Sequence, residues 1–324
     1  MRPFAYARAA TAEDAMAEHG NGAYYLGGGT NLVDLMRLGV EEPSKLVDVS
    51  RLPYDRIERD PDGTLRIGAA VTNSALAADR MVREEFPMLA KAVLSGASGQ
   101  LRNLATVGGN LLQRTRCPYF QDASKPCNKR APGTGCPARE GENQNLAIIG
   151  HSAACVATHP SDMAVALMAL DASVQVLGRD GARTVPLDGF YRLPGTEPHR
   201  DTTLDPGDLI TGVAVPPLRM PALYRKVRER ASFAFALVSV AAALEVRGST
   251  IGDVRLALGG VAHKPWRARN AEDVLRGAAL TGEAFDRAAD AELAAAEPLR
   301  HNGYKVPLAR NLIVQALTEL GERA

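Results

Sequence analysis

The sequence predicts an α+β protein of two domains, and three observations carry that prediction. The chain of 324 residues suits about two domains at roughly 100–200 residues each, with a core in both. Short strand-like and helix-like segments alternate irregularly up to Val215, whereas later three long strand-like segments precede three helices. Between these stretches stands Pro216-Pro217, and the boundary it marks ahead of Leu218 gives domains over residues 1–218 and 219–324.

In the first domain, Thr11 with Asp14 three residues on reads as the N-cap of a helix ending near Gly20. Tyr24-Tyr25-Leu26 is a strand running into Gly27-Gly28-Gly29-Thr30-Asn31, after which Leu32, Leu35, Met36 and Leu38 recur at helical spacing. Lys45 to Ser50 and Thr64 to Ala69 are short strands, and Phe86 to Leu94 is a helix stopped by Gly96 and Gly99. Between Leu112 and Asn145 periodicity disappears and four prolines interrupt any regular element. A loop of that length inside a compact domain points to function or to an external constraint. Order returns with a helix at Asp162 to Leu170, a hairpin around Asp180-Gly181, and a strand at Leu209 to Val215.

In the second domain, Ala222 to Arg228, Phe235 to Val246 and Val254 to Val261 read as strands. The last helix carries Leu308, Leu312, Ile313, Ala316, Leu317 and Leu320 on one face.

Composition narrows the function. With 38 basic residues against 37 acidic and a hydrophobic fraction of 46%, disorder and a nucleic-acid-coating charge are disfavoured. The longest near-apolar run, Ala234 to Leu244, is too short for a membrane span of ~20 residues. No apolar signal core stands at the N-terminus, so the chain carries no export signal of its own. Export in complex with a signal-bearing partner would leave no mark.

Two glycine turns are candidate ligand cradles. In Gly27 to Asn31 consecutive backbone N–H groups converge as an anion site would require, with a phosphate or pyrophosphate as the ligand and a plain tight turn as the competing reading. Thr106-Val107-Gly108-Gly109-Asn110 is the second, and two such turns favour a large diphosphate ligand. Neither is a nicotinamide G-x-G-x-x-G fingerprint or a nucleotide-hydrolase P-loop. Gly96-Ala97-Ser98-Gly99 resembles a nucleophile elbow, but Gln100 stands where glycine is needed, so Ser98 reads as a loop residue.

All four cysteines, Cys117, Cys127, Cys136 and Cys155, lie within a window of 39 residues, a clustering expected by chance less than about once in a hundred. A four-thiolate iron–sulfur cluster, a structural zinc and two disulfides compete to explain it. The absence of a close C-x2–4-C pair weighs against zinc, and the missing export signal weighs against disulfides. From Leu101 to Glu140 seven basic residues face two acidic ones, a positive segment suited to an anionic cluster, a pyrophosphate or an acidic electron-transfer partner.

These motifs, taken in order, resemble the flavin-binding subunit of the molybdenum hydroxylases, the family of xanthine dehydrogenase, carbon monoxide dehydrogenase and aldehyde oxidoreductase. The resemblance rests on Tyr24 to Leu32, Ala105 to Leu111, Ser161-Asp162-Met163, Tyr224-Arg225-Lys226 with Arg230, and Leu258 to Ala262, and covers essentially the whole chain. It implies a two-lobed FAD-binding (PCMH-type) domain over residues 1–218. A smaller domain of the carbon monoxide dehydrogenase flavoprotein C-terminal type, three strands plus helices, follows over 219–324. By resemblance FAD is held by Tyr24, Tyr25, Leu26, Gly27, Gly28, Gly29, Thr30, Asn31 and Leu32, with Thr106, Gly109 and Asn110, with Asp162 at the adenosine, Ile210 at the adenine and Lys226 near the flavin.

The chain departs from the family's commoner pattern in one place. Asn110 and Asp162 stand 52 positions apart, against about ten in cluster-free members, and the extra residues, about 112–156, carry every cysteine. This resembles the minority of members with an additional [4Fe–4S] cluster, notably bacterial aldehyde oxidoreductases exported to the periplasm, with 4-hydroxybenzoyl-CoA reductase as the alternative. Cys117, Cys127, Cys136 and Cys155 are then the metal ligands. The resemblance further implies a hetero-oligomer with a molybdenum cofactor-binding catalytic subunit and a [2Fe–2S] subunit, and electron delivery to an external acceptor such as an acidic ferredoxin-like protein. Periplasmic localisation by co-export follows from it, with the cytoplasm as the alternative. No catalytic acid, base or nucleophile is assigned, because the cofactors carry the redox chemistry. From another class, a non-enzymatic zinc-stabilised nucleotide-binding scaffold is the rival reading.

Overall fold

The computed structural model describes residues 1–323 and contains three sheets. The first is a small parallel sheet in which β1 (Ala5–Arg8) and β2 (Ala23–Leu26) flank β3 (Lys45–Asp48). Thr11 caps the helix Ala12–Glu18 with a reciprocal capping box: its side chain accepts from the Asp14 amide, and the Asp14 carboxylate accepts from the Thr11 amide. The Gly27–Asn31 turn leaves the carboxyl end of β2 and enters the helix Leu32–Arg37, the end of a parallel sheet where ligands bind.

The second sheet is antiparallel, in the order β4 (Ile57–Arg59), β5 (Leu65–Gly68), β8 (Leu209–Val215), β6 (Ser173–Gly178), β7 (Gly181–Pro186). Val174 and Val176 of β6 point into the core and alternate with half-buried neighbours, the period expected of a strand covered on one face. Helices Asn73–Ala78, Arg80–Glu85, Pro87–Ser95 and Asp162–Ala169 close this core.

The third sheet forms the C-terminal domain, antiparallel in the order β12 (Trp266–Arg267), β11 (Thr250–Gly259), β10 (Val238–Arg247), β9 (Ala222–Val227), and packs on helices Arg269–Leu275, Gly282–Leu293 and Lys305–Gly321. All eight residues of helix Asp162–Ala169 are buried, because it lies between the first domain and β10 and β11 of the second. Arg267 holds its far end, donating to the Met168 carbonyl at 2.8 Å and to Asp171 at 2.6 Å, where a cation complements the helix dipole. No helix among the described residues is long and apolar enough to cross a membrane.

The sequence expectations hold for most elements, with informative differences. The C-terminal sheet gains a fourth strand, β12, which at two residues after Pro265 is too short for any periodicity. Strands β1 and β4 and helices Asn73–Ala78 and Arg80–Glu85 have no counterpart in the sequence reading. β1 has no fully buried residue and exists through pairing with β3, some 40 positions away. Ser98 caps a short helix, Gly99–Leu104, as befits a loop residue and not a nucleophile.

The aperiodic stretch crosses to the C-terminal domain on its return. His301 donates its amide to Asn143 Oδ1 at 2.9 Å, and Asn302 Nδ2 donates to the Leu146 and Ala147 carbonyls at 3.3 and 3.1 Å. Lys305 is buried, donating to the Leu146 and Gly260 carbonyls at 3.0 and 2.7 Å.

Candidate functional site

The two glycine turns pack against one another and form one wall of a groove of about 820 Å³, within the ~300–1,000 Å³ of ligand sites. A Cβ on Gly27 would stand 2.8 Å from Thr106 Oγ1, and one on Gly28 would stand 1.8 Å from the Leu104 carbonyl oxygen. Glycine at position 28 is therefore dictated by close approach of two backbones. Gly29 adopts φ +71°, a left-handed conformation that glycine takes without strain. Thr106 accepts from the Gly109 amide and so starts the helix Val107–Leu111.

Every residue from Tyr24 to Leu32 lines the groove, as do Thr106, Gly109 and Ile210. The Asn31 carboxamide oxygen accepts from the Arg114 amide at 2.8 Å, while its Nδ2 is buried without a partner. A buried orphan donor costs about 1–3 kcal/mol, and a diphosphate oxygen would satisfy it. This donor, together with the close packing of the two turns that glycine at 27 and 28 permits, fits FAD.

The sequence reading missed the charged walls. Tyr24 donates to Glu41 at 2.8 Å, Tyr25 donates to the Gly207 carbonyl at 2.8 Å, and Arg114 pairs with Glu41. Burial, reinforced by Glu41 for Tyr24 and by Asp208 for Tyr25, pushes both tyrosine hydroxyls up to about 12, so they remain donors at neutral pH. A faint signal for Arg114 was its membership of the basic segment; Glu41 had none.

Asn110, Asp162 and Lys226 do not line this groove. Asn110 Oδ1 accepts from Ser161 Oγ at 2.6 Å and from Gln113 Nε2 at 3.0 Å. Asp162 accepts from Lys226 Nζ at 2.7 Å and from the Tyr224 hydroxyl at 2.5 Å. With side-chain exposures of 3% for Lys226 and 8% for Asp162, this pair is a buried tie between the domains rather than a surface ion pair.

The four cysteines, which span 39 residues of sequence, converge on one small cavity, and all are free thiols. The loop between Cys127 and Cys136 is closed by Asn128, whose amide donates to the Gly135 carbonyl while its Oδ1 accepts from the Gly135 amide. Arg130 donates to the Tyr119 and Phe120 carbonyls, and Arg139 to that of Ser152. Much of the basic charge is thus turned inward. Burial pushes the Cys117 thiol up to about 11 and the Cys155 thiol up to about 12, opposed by amides of Tyr119 and Phe120 at Cys117 and of Ala157 at Cys155. Thiolates here need a bound cation. Among the described residues no three His, Cys, Asp or Glu side chains are gathered tightly enough to hold a single metal ion. Four thiols around one cavity, with amides directed at the sulfurs, fit a cluster, whose ligands stand further apart.

His159 lines a smaller cavity beside Arg114, Tyr191 and Asp201. Its Nδ1 accepts from the Ser161 amide at 3.3 Å, its Nε2 is buried without a partner, and the ring stands edge-on to Tyr191 with centroids 4.6 Å apart. Burial is the main cause that lowers it to about 4. Between pH 6.5 and 4 the unfolded chain therefore binds a proton that the folded one refuses, so stability falls as pH falls. Chemical denaturation of His159→Asn across this window is expected to show a flatter acid limb, by up to ~3 kcal/mol; an unchanged limb would exclude a buried neutral imidazole.

Residues 2–218 match the family described as the FAD binding domain in molybdopterin dehydrogenase, and residues 222–320 match the CO dehydrogenase flavoprotein C-terminal domain. The chain is 49% identical over 328 residues to the aldehyde oxidoreductase FAD-binding subunit PaoB of Escherichia coli, covering 100% of both. It is 28% identical to the carbon monoxide dehydrogenase medium chain of Hydrogenophaga pseudoflava, covering 93% of this chain and 90% of that one. A solved carbon monoxide dehydrogenase from the same organism has the same fold, with TM-score 0.78 at 27% identity over 100% of this chain and 99% of that chain. These matches overturn the non-enzymatic zinc scaffold, whose premise was a nucleotide module outside any oxidoreductase. FAD binding is what these descriptions name and what the groove behind the two glycine turns fits, and this chain belongs to the family of FAD-binding subunits of molybdenum hydroxylases, as an oxidoreductase subunit.

Proposed function

We propose that this chain is the FAD- and [4Fe–4S]-carrying electron-transfer subunit of a molybdenum-dependent aldehyde oxidoreductase. In this reading it receives electrons from a [2Fe–2S] subunit that serves a molybdenum catalytic subunit, and it delivers them to an external acceptor. The convergence of all four cysteines on one cavity carries the cluster assignment, and the 49% identity to an aldehyde oxidoreductase subunit carries the substrate class. Co-export to the periplasm with a signal-bearing partner is part of the same proposal.

When bound, FAD supplies reversible electron storage and the cluster supplies one-electron transfer. The chain's own residues bind and insulate. The glycine turns present amides and the Asn31 carboxamide to the diphosphate, while Tyr24 and Tyr25 brace the groove through Glu41 and Gly207. Phe120 packs in the apolar cluster around the cysteines and keeps water from the cavity.

The purified chain is expected to show flavin absorption near ~450 nm together with a broad iron–sulfur shoulder, and an iron content matching one cluster. Full flavin with zinc in place of iron would refute the cluster assignment. A complex that oxidises no aldehyde while its flavin is reducible by dithionite would refute the substrate class.

A further inference from the structure

A chain of charged side chains joins the cysteine cavity to the flavin groove. Lys129, two residues after Cys127, lines that cavity, and its side chain is 1% exposed. Its Nζ donates to the Pro198 carbonyl at 2.8 Å and to Asp201 Oδ1, and lies 2.9 Å from His263 Nε2 of the C-terminal domain. The other Asp201 oxygen faces Arg114 Nε at 2.8 Å. Arg114 pairs through Nη1 with Glu41, whose second oxygen accepts from the Tyr24 hydroxyl. Arg114, Glu41 and Tyr24 all line the groove. The Arg114 guanidinium also stands over the Phe120 ring, 4.9 Å from its centroid, three residues after Cys117. Burial opposes ionisation of Asp201, but Lys129, His263 and Arg114 outweigh it and hold its carboxyl well below the usual carboxylate range.

Asp201 is thus the anion shared by one cation at the cysteines and another at the groove. We propose that Asp201 is a positioning residue that couples the two redox centres, setting the reduction potentials of both through the Lys129 and Arg114 charges it compensates. The inference rests on the reading that the cysteines hold an iron–sulfur cluster. Its physics is simple: reduction adds negative charge, and an uncompensated cation nearby favours the reduced form, the more so away from water.

The test uses the full chain purified with its cofactors, whose iron and flavin contents are measured first. Midpoint potentials are then read by redox titration, from flavin absorbance and from the cluster's electron paramagnetic resonance signal. Asp201→Asn is expected to move both potentials in the positive direction, and Asp201→Glu to return both towards the parent values. Glu41→Gln, at the groove end, is expected to move the flavin further than the cluster. Unchanged potentials in a fully loaded Asp201→Asn protein, or a shift confined to one centre, would overturn the coupling. Should that variant not load its cofactors, an unmoved flavin potential in Glu41→Gln would overturn it equally. An iron-free parent chain with full flavin is a different failure: it removes the cluster itself and is seen before any variant is made.

Discussion

Replacing Gly28 by alanine is expected to leave the protein folded but depleted of flavin. The new Cβ would lie 1.8 Å from the Leu104 carbonyl oxygen and 2.5 Å from its carbon, distances that no rotamer change relieves, because both obstacles are backbone. Either the Gly27–Asn31 turn or the Leu104–Thr106 segment must move by more than an ångström, and both form the cradle. Overpacking penalties of ~1–3 kcal/mol are typical, so FAD affinity should fall by up to about 100-fold. Gly99→Ala is the matched control, since nothing lies within 4 Å of its Cβ and its φ is not left-handed. The flavin-to-protein absorbance ratio, with circular dichroism to verify the fold, reads the outcome. Full flavin in Gly28→Ala would show that the diphosphate does not lie against this turn.

Replacing one cysteine of the proposed cluster should do the reverse, sparing flavin and losing iron. Cys155 is buried, and its amide and carbonyl are bonded to Ser152, so serine there places a weak ligand in an apolar setting. Cys155→Ser is expected to lose the iron–sulfur signal entirely. It should also lose stability, because an unpaired buried hydroxyl costs about 1–3 kcal/mol and bound metal contributes folding energy besides. Flavin should persist, because none of the four cysteines lines the groove. Iron analysis and the thermal midpoint report both effects. Cys127 is less buried, and Cys127→Ser separates relay from brace: loss of acceptor turnover along with iron places the cluster on the electron path, whereas full turnover without iron leaves it a structural role.

The sequence made legible whatever depended on local chemistry. Strand β8 has the bounds its composition suggested, Leu209–Val215, and the strand, glycine turn and helix at Tyr24 to Arg37 needed only β-propensity, the triple glycine and helical spacing. The cysteines were visible because they are rare and clustered. Hidden were contacts between segments with no shared pattern. Arg114 meets Glu41 across 73 positions, and Lys129 meets Asp201 across 72, so nothing in either neighbourhood names the partner. Asp162 and Lys226 were each recognised as site residues, yet their pairing with one another, 64 positions apart, emerges only when the C-terminal sheet is placed against helix Asp162–Ala169. Short edge strands such as β12 escape for the opposite reason: two residues contain no period to detect.

The fastening of residues 143–147 by Asn302, Lys305 and the His301 amide bears on how such a segment is inherited and engineered. A redox insert closed upon itself would be a portable cassette, transferable to a relative that lacks it. This one is not self-contained. Its return path ends on carbonyls that bond to donors of the C-terminal domain, and Lys305 divides its Nζ between the Leu146 carbonyl of this segment and the Gly260 carbonyl of that domain. Grafting residues 112–156 alone into a cluster-free relative would strand Leu146 without its donors, so the transplantable unit includes the segment from Leu299 to Lys305. The two pieces lie more than 140 positions apart in the chain.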